Sequence, residues 1–371
     1  MRIALAIVSL FASGGLQRDC LSLARILRRR GNEVHLIAAR CDTEAASLIE
    51  PQVLPSLHLT NHGRDQGFAR ALRAETQGRF DVVVGFNKLP GLDVLYCADR
   101  CVLATPVPMW KRLMRRHRTR RSLEEACFGK NSSTHILMLA AGAAAEYRSA
   151  WQTQGSRMTV LSPSVAKERM RPDLRATETR NGIRRGLGLS PRDEVWLFVA
   201  AYPRTKGLDR LLNALAGRTG VRVLVAGAAP SSRDCLRAHR LAKSLGVESC
   251  VSFLGHREDI PELMAAADVL VHPARYDMTG GVILEAISSG LPVITTDACG
   301  FSEHVRRARA GIVLDGPFEA DRLSEALDLV REPGKIVEWS RNASLYAARN
   351  DFSKGLHDAA DVIERIAVQR S

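Results

Sequence analysis

Residues 274–300 read ARYDMTGGVILEAISSGLPVITTDACG, and the rest of the chain is organised around them. The stretch reads as loop, helix, tight stop and strand. Asp277 stands in the loop, and the Thr279-Gly280-Gly281 turn lets backbone N–H groups approach a ligand closely. A helix is expected over residues 282–289, with Glu285 in its first turn, eight residues after Asp277. Gly290 is the expected left-handed stop, and Leu291-Pro292 starts a strand ending near Thr296. A helix N-terminus behind a glycine-rich loop favours anions, because its unpaired N–H groups and its dipole act together. Two carboxylates beside such a site suit a second task, accepting hydrogen bonds from hydroxyls. A ligand that is both phosphate and polyol is a nucleotide sugar.

Outward from this stretch, apolar runs alternate with helical periods. Arg2–Leu10 reads as a strand buried on both faces, followed by a small-residue loop at 11–15 and a helix over 16–30. A signal peptide is the other reading of that N-terminus, but the strand explains the helix next to it. Further strands are expected at 33–39, 81–86, 135–139 and 158–161, with helices at 66–78 and 142–151. Residues 167–185 are charged and lack apolar periodicity, so they read as a linker. Beyond it, strands at 195–200, 222–226, 250–254, 269–272 and 312–314 again alternate with helices. Two parallel, doubly wound α/β domains are the expectation, with ligands at the carboxyl ends of their strands.

The chain has 371 residues, 46% hydrophobic and 25% charged, with a formal net charge of +13. That charge implies an acidic partner: nucleic acid, an anionic membrane or a phosphorylated substrate. The eight cysteines have neither zinc nor disulfide spacing, so free thiols in a reducing cytosol are expected, with no metal. No apolar run reaches the ~18 residues of a membrane span.

Arg204 and Lys206 come after a strand and precede Gly207, where they could clamp a diphosphate or simply be solvated. Glu285 could equally complement the helix dipole. His272 reads as a strand-end histidine and His62 as a turn residue. Seven Lys or Arg fall between Lys111 and Arg121, beside Met109, Trp110, Leu113 and Met114. Such a segment describes an interfacial helix on an anionic membrane, with Trp110, Lys111, Arg112, Arg115, Arg116 and Arg118 as its contacts. The alternatives are a solvated basic helix or a nucleic-acid contact. Gly14-Gly15 is not a dinucleotide fingerprint, which leaves an NAD-type dehydrogenase weakly supported.

The motifs GGLQRD, TNHGR, GFNKLPGLDV, TKGLDR and the run from Leu263 to Gly300 together resemble the GT-B glycosyltransferases of family 4. Within the family the likeness is to enzymes that move glucose from UDP-glucose to an inner-core heptose of lipopolysaccharide, with retention. The resemblance implies two Rossmann-like domains facing each other across a cleft. Residues 1–165 would be the acceptor-side domain and 166–350 the nucleotide-sugar domain. Residues 351–371 would form a helix packing back on the first. It implies donor contacts from Gly14, Gly15, Arg169, Arg204, Lys206, Thr279, Gly280, Gly281, Val282 and Glu285. Asp19, Asp99 and Asp277 would be the catalytic-site acids. No cofactor beyond the UDP-sugar is implied. The partners would be a lipid-linked oligosaccharide acceptor and an anionic membrane surface, not nucleic acid. The place would be the cytoplasm, on the inner face of the cell membrane. Two departures stand out: Asp277 replaces the family's first glutamate, and Pro163-Ser164 replaces its Pro-Gly.

Overall fold

β1 (Arg2–Leu10) carries no polar face, and the chain places it in the interior of a sheet, between two other strands. With β2 (Glu33–Cys41), β3 (Gln52–Val53), β4 (Val82–Gly85), β5 (Val94–Cys97), β6 (His135–Met138) and β7 (Met158–Val160) it forms a parallel sheet ordered β3-β2-β1-β4-β5-β6-β7. A second parallel sheet contains β8 (Glu194–Val199), β9 (Val221–Ala226), β10 (Val251–Gly255), β11 (Val269–His272), β12 (Val293–Thr296) and β13 (Gly311–Leu314), ordered β10-β9-β8-β11-β12-β13. This computed structural model describes residues 1–11, 14–42, 50–54 and 60–370. The chain divides into two units, residues 1–163 with 354–371, and residues 164–353. Strand order reverses between β1 and β4 in one and between β8 and β11 in the other, the switch points beside which α/β sheets bind ligands.

In the first unit, Ile3, Leu5 and Ile7 pack with Cys20, Leu23 and Leu27 of helix Gly15–Arg29 and with Leu356, Ala360 and Ile363 of helix Gly355–Arg370. Arg30 pairs with Asp361 and Glu364 at 2.6 and 2.9 Å, tying the two helices at their exposed edge. The second unit has one cluster on each side of its sheet. Leu197, Leu224, Leu270 and Val293 enter one, and Trp196, Val223, Val271 and Ile294 the other.

Three expectations need correction. β5 was not expected, because its four apolar residues come directly after a loop motif and are too few to show a period. Helix Asn61–Thr76 starts five residues before the expected Gln66, and Thr60 caps it by accepting from Gly63 N at 3.2 Å. Residues 167–185 are not a bare linker but contain most of helix Thr177–Gly186. Arg175 Nη1, Arg180 Nε and Arg184 Nη1 each donate at 2.9 Å to carbonyls of Met264, Ala265 and Ala266, at the end of helix Ile260–Ala266. Those are the carbonyls a helix terminus leaves unsatisfied. A helix held by guanidinium-to-carbonyl bonds need not show an apolar period.

The basic segment also differs. It is two helices, Met109–Leu113 and Arg115–Phe128, broken at Met114 (φ −65, ψ 139). Met109, Trp110 and Leu113 are 78%, 62% and 80% exposed and share their short helix with Lys111 and Arg112, so they do not form the apolar face of one continuous basic helix. Among the described residues no helix is long and apolar enough to cross a membrane.

Candidate active site

The second unit gathers its unusual polar residues at the ends of β8, β11 and β12. The loop after β8 carries Lys206 and meets the loop after β11 backbone to backbone. Gly207 has φ +85, and a Cβ there would lie 2.0 Å from Pro273 O, so no other residue fits. Arg275 stitches the loops further. Its N–H donates to Thr205 O at 2.9 Å, its Nη1 to Arg204 O at 2.8 Å, and its guanidinium grips both Asp209 oxygens at 2.7 Å.

This contact delivers the Lys206 ammonium to Asp277 Oδ2 at 2.8 Å, and a second bond from it reaches Tyr276 O at 3.3 Å. His272, the last residue of β11 and 1% exposed, donates from Nε2 to the same Asp277 oxygen at 3.0 Å. Burial works against the Asp277 charge, but the His272 hydrogen bond and the Lys206 charge win and hold the carboxyl well below the usual carboxylate range. Burial would likewise depress His272, yet the hydrogen bond to Asp277 and the charge of that carboxylate raise it to about 9. The three groups form a largely buried cation–anion–cation row. The ligand atoms of His272, Asp277 and Cys299 lie within 4.8 Å of one another, a spacing open to metals. The Asp277 oxygen, however, already carries two cations.

The main chain at Asp277 is fixed too. Its N–H donates to Ala298 O and its carbonyl accepts from Gly300 N, both at 3.0 Å, while Phe301 N donates to Thr279 O at 2.7 Å. Gly280 takes φ +74 as N-cap of helix Gly281–Ser288, and open space surrounds the Cβ position of Gly281. The helix begins one residue earlier than expected, so Glu285 falls beyond its first turn. Glu285 Oε2 lies 3.9 Å from Arg169 Nη1, both side chains being mostly buried. Val282 is half-buried against the core of the unit, and Gly290 is left-handed at φ +72 as expected. Arg204 is exposed.

In the first unit, Gly14 caps helix Gly15–Arg29, where a Cβ would strike the Gln17 side chain, itself bonded to Ser9 O at 3.0 Å. Residues 12 and 13 of that loop lie outside the described residues. Asp19 Oδ2 accepts from Tyr96 OH at 3.0 Å, and Asp99 is exposed just beyond β5. Asp19 and Tyr96 thus meet at the carboxyl end of this sheet. His62 Nε2 stands 3.4 Å from Thr60 Oγ1, within its own helix cap.

Sequence reasoning left His272 as a strand-end residue, whereas the fold makes it a partner of Asp277. The available signal was its spacing: a histidine at the last position of a buried strand, five residues before an acid that the next loop turns back.

Residues 13–169 match the Glycosyltransferase Family 4 profile, and residues 179–350 match that of Glycosyl transferases group 1. Over 375 residues the chain is 34% identical to lipopolysaccharide glucosyltransferase WaaG of Escherichia coli (strain K12), with 98% of each chain covered. It also superposes on a crystal structure of WaaG, a glycosyltransferase involved in lipopolysaccharide biosynthesis, with a TM-score of 0.91 and 32% identity over 97% of this chain and 99% of that one. A D-inositol 3-phosphate glycosyltransferase of Rhodococcus jostii (strain RHA1) is 32% identical over 203 residues, 52% of this chain and 44% of that one. Anabaena Alr3699/HepE in complex with UDP-glucose shares the fold, with a TM-score of 0.77 at 18% identity over 99% of both chains. The dehydrogenase and nucleic-acid alternatives find no support in these likenesses. With two parallel Rossmann-like units and a likeness that spans its whole length, the chain belongs to glycosyltransferase family 4.

Proposed function

We propose that this glycosyltransferase moves a hexose, glucose first among the candidates, from a UDP-sugar to a heptose of the lipopolysaccharide inner core or a similar lipid-linked oligosaccharide. The transfer retains the anomeric configuration and uses neither a metal nor a further cofactor. The observation that carries the reading is the Lys206–Asp277–His272 row, whose Asp277 lies on the loop that leads into helix Gly281–Ser288. A fixed ammonium beside free helix N–H groups suits the charge that develops on a departing nucleoside diphosphate. Arg169 and Arg204 share that charge, Glu285 takes the ribose hydroxyls, and residues 279–282 supply backbone contacts. Asp19 and Asp99 serve the sugar and the acceptor. The whole-length likeness to the Escherichia coli enzyme supports the sugar and the acceptor class.

The enzyme works from the cytoplasm on the inner face of the membrane. Exposed Met109, Trp110 and Leu113 enter the lipid interface, while Lys111, Arg112, Arg115, Arg116 and Arg118 meet anionic headgroups. The net charge of +13 is then directed at lipid rather than nucleic acid.

Thermal unfolding with UDP-, GDP- and ADP-sugars tests the donor, since a ligand at 100 times its Kd adds about 2.7 kcal/mol. UDP-glucose should stabilise the protein and support transfer to heptose-terminated lipopolysaccharide in excess EDTA, giving an α-linked product by NMR. Stabilisation by GDP- or ADP-sugars alone overturns the donor, a β-linked product overturns retention, and activity restored only by added metal overturns metal independence.

A further inference from the structure

We infer that Lys88, Glu124 and Tyr147 are positioning residues that hold the Asp99 loop in register for the acceptor. The inference rests on the proposed function, which places Asp99 on the acceptor side. The loop at residues 99–102 is partly exposed, yet it is gripped from beneath at three backbone positions. Tyr147 OH donates to Asp99 O at 2.8 Å, Lys88 Nζ donates to Arg100 O at 2.8 Å, and Val102 N donates to a Glu124 oxygen at 2.9 Å.

The three grips are one unit. Glu124 is fully buried and also receives the Lys88 ammonium, Trp151 Nε1 at 2.7 Å and the Cys101 thiol at 3.4 Å. Lys88 Nζ in turn lies 5.1 Å from the centroid of the Tyr147 ring. Burying such a pair costs desolvation that apolar residues of similar size would avoid, so stability alone is a poor reason for it. What the pair supplies is direction: a carboxylate and an ammonium with several bonds each, aimed at successive peptide groups. Burial works against the Lys88 charge, and the Glu124 carboxylate, with a smaller share from Asp99, helps keep it protonated. Lys88 belongs to the GFNKLPGLDV motif, and Glu124 to helix Arg115–Phe128. The helix that presents the basic surface is therefore also the one to which the Asp99 loop is fastened.

The test uses full-length Tyr147→Phe, Glu124→Gln and Asp99→Asn. Each is assayed for acceptor KM, for the ratio of glycosyl transfer to donor hydrolysis, for UDP-sugar affinity and for Tm. Tyr147→Phe removes one hydroxyl and leaves the ion pair, so it remains informative if Glu124→Gln folds poorly. The expected result is an acceptor KM raised, or a transfer-to-hydrolysis ratio lowered, by at least about tenfold in all three variants, with UDP-sugar affinity unchanged. If Tyr147→Phe and Glu124→Gln lower only Tm and keep the wild-type acceptor KM and ratio, the residues are structural and the inference is overturned. If those two change while Asp99→Asn does not, the loop is positioned as inferred and the role given to Asp99 is what fails.

Discussion

Lys206 Nζ stands 2.8 Å from Asp277 Oδ2, and His272 Nε2 reaches that same oxygen at 3.0 Å. Asp277 therefore aims the lysine, which the proposed function sets against the diphosphate. Lys206→Met keeps most of the side-chain length and removes the charge. It should lower kcat by about 10²–10³ and weaken UDP binding, as loss of one preorganised electrostatic group does. Steady-state rates and calorimetric titration with UDP check this. A variant with unchanged UDP affinity and near wild-type kcat would show that Lys206 serves only Asp277.

His272 sets a pH signature. Its pKa is raised from 6.5 to about 9 on folding, so its contribution to stability is present in full below pH 6.5 and is lost as pH rises through 9. Asp277 acts at the other end. Its lowered pKa contributes stability above the ordinary carboxylate range, and that contribution fades on acidification. Between about pH 6 and about pH 10, urea midpoints should fall for the wild type and stay flatter for His272→Gln. Parallel curves would discard the buried imidazolium.

The C-terminal helix is part of the first unit's core. Ile363 is fully buried with Leu5 and Leu27 in its cluster. Ile363→Ala should cost about 2–5 kcal/mol, read as a lower urea midpoint at unchanged slope. A loss below about 1 kcal/mol would mean that the helix docks only marginally.

Charge reversal at Lys111, Arg115 and Arg118 tests the lipid surface. Each cation near an anionic surface contributes about 1 kcal/mol, so the triple variant should bind anionic vesicles at least about a hundredfold less tightly. Its UDP affinity should be unchanged, because the Lys206 row lies in the other unit. Vesicle flotation and UDP titration measure the two separately. Undiminished flotation would remove the segment from the membrane.

Much of the fold and of the site was legible in residue patterns. β1 showed itself as an unbroken apolar run, and residues 274–300 showed loop, glycine turn, helix and stop, with Lys206 and Asp277 both marked by their settings. Other parts were not, and for physical reasons. His272 acquires its role only when the next loop folds Asp277 back onto it, a distance no spacing rule fixes. Helix Thr177–Gly186 is held by arginines donating to main-chain carbonyls, which leave no trace in hydrophobic periodicity. The break at Met114 comes after no proline or glycine in the basic run, so nothing there announces it. Lys88 sits in a recognisable motif, but its partner lies 36 residues away on another element.

The contact of Gly207 with Pro273 O also governs how this site can diverge. One residue inserted in either loop would displace its neighbours by up to ~3.6 Å, more than the whole Lys206–Asp277 separation of 2.8 Å. Neither loop can grow or shrink without parting the ammonium from its carboxylate. Descendants of this sequence that keep the row need a carboxylate at position 277 and the same number of residues in both loops.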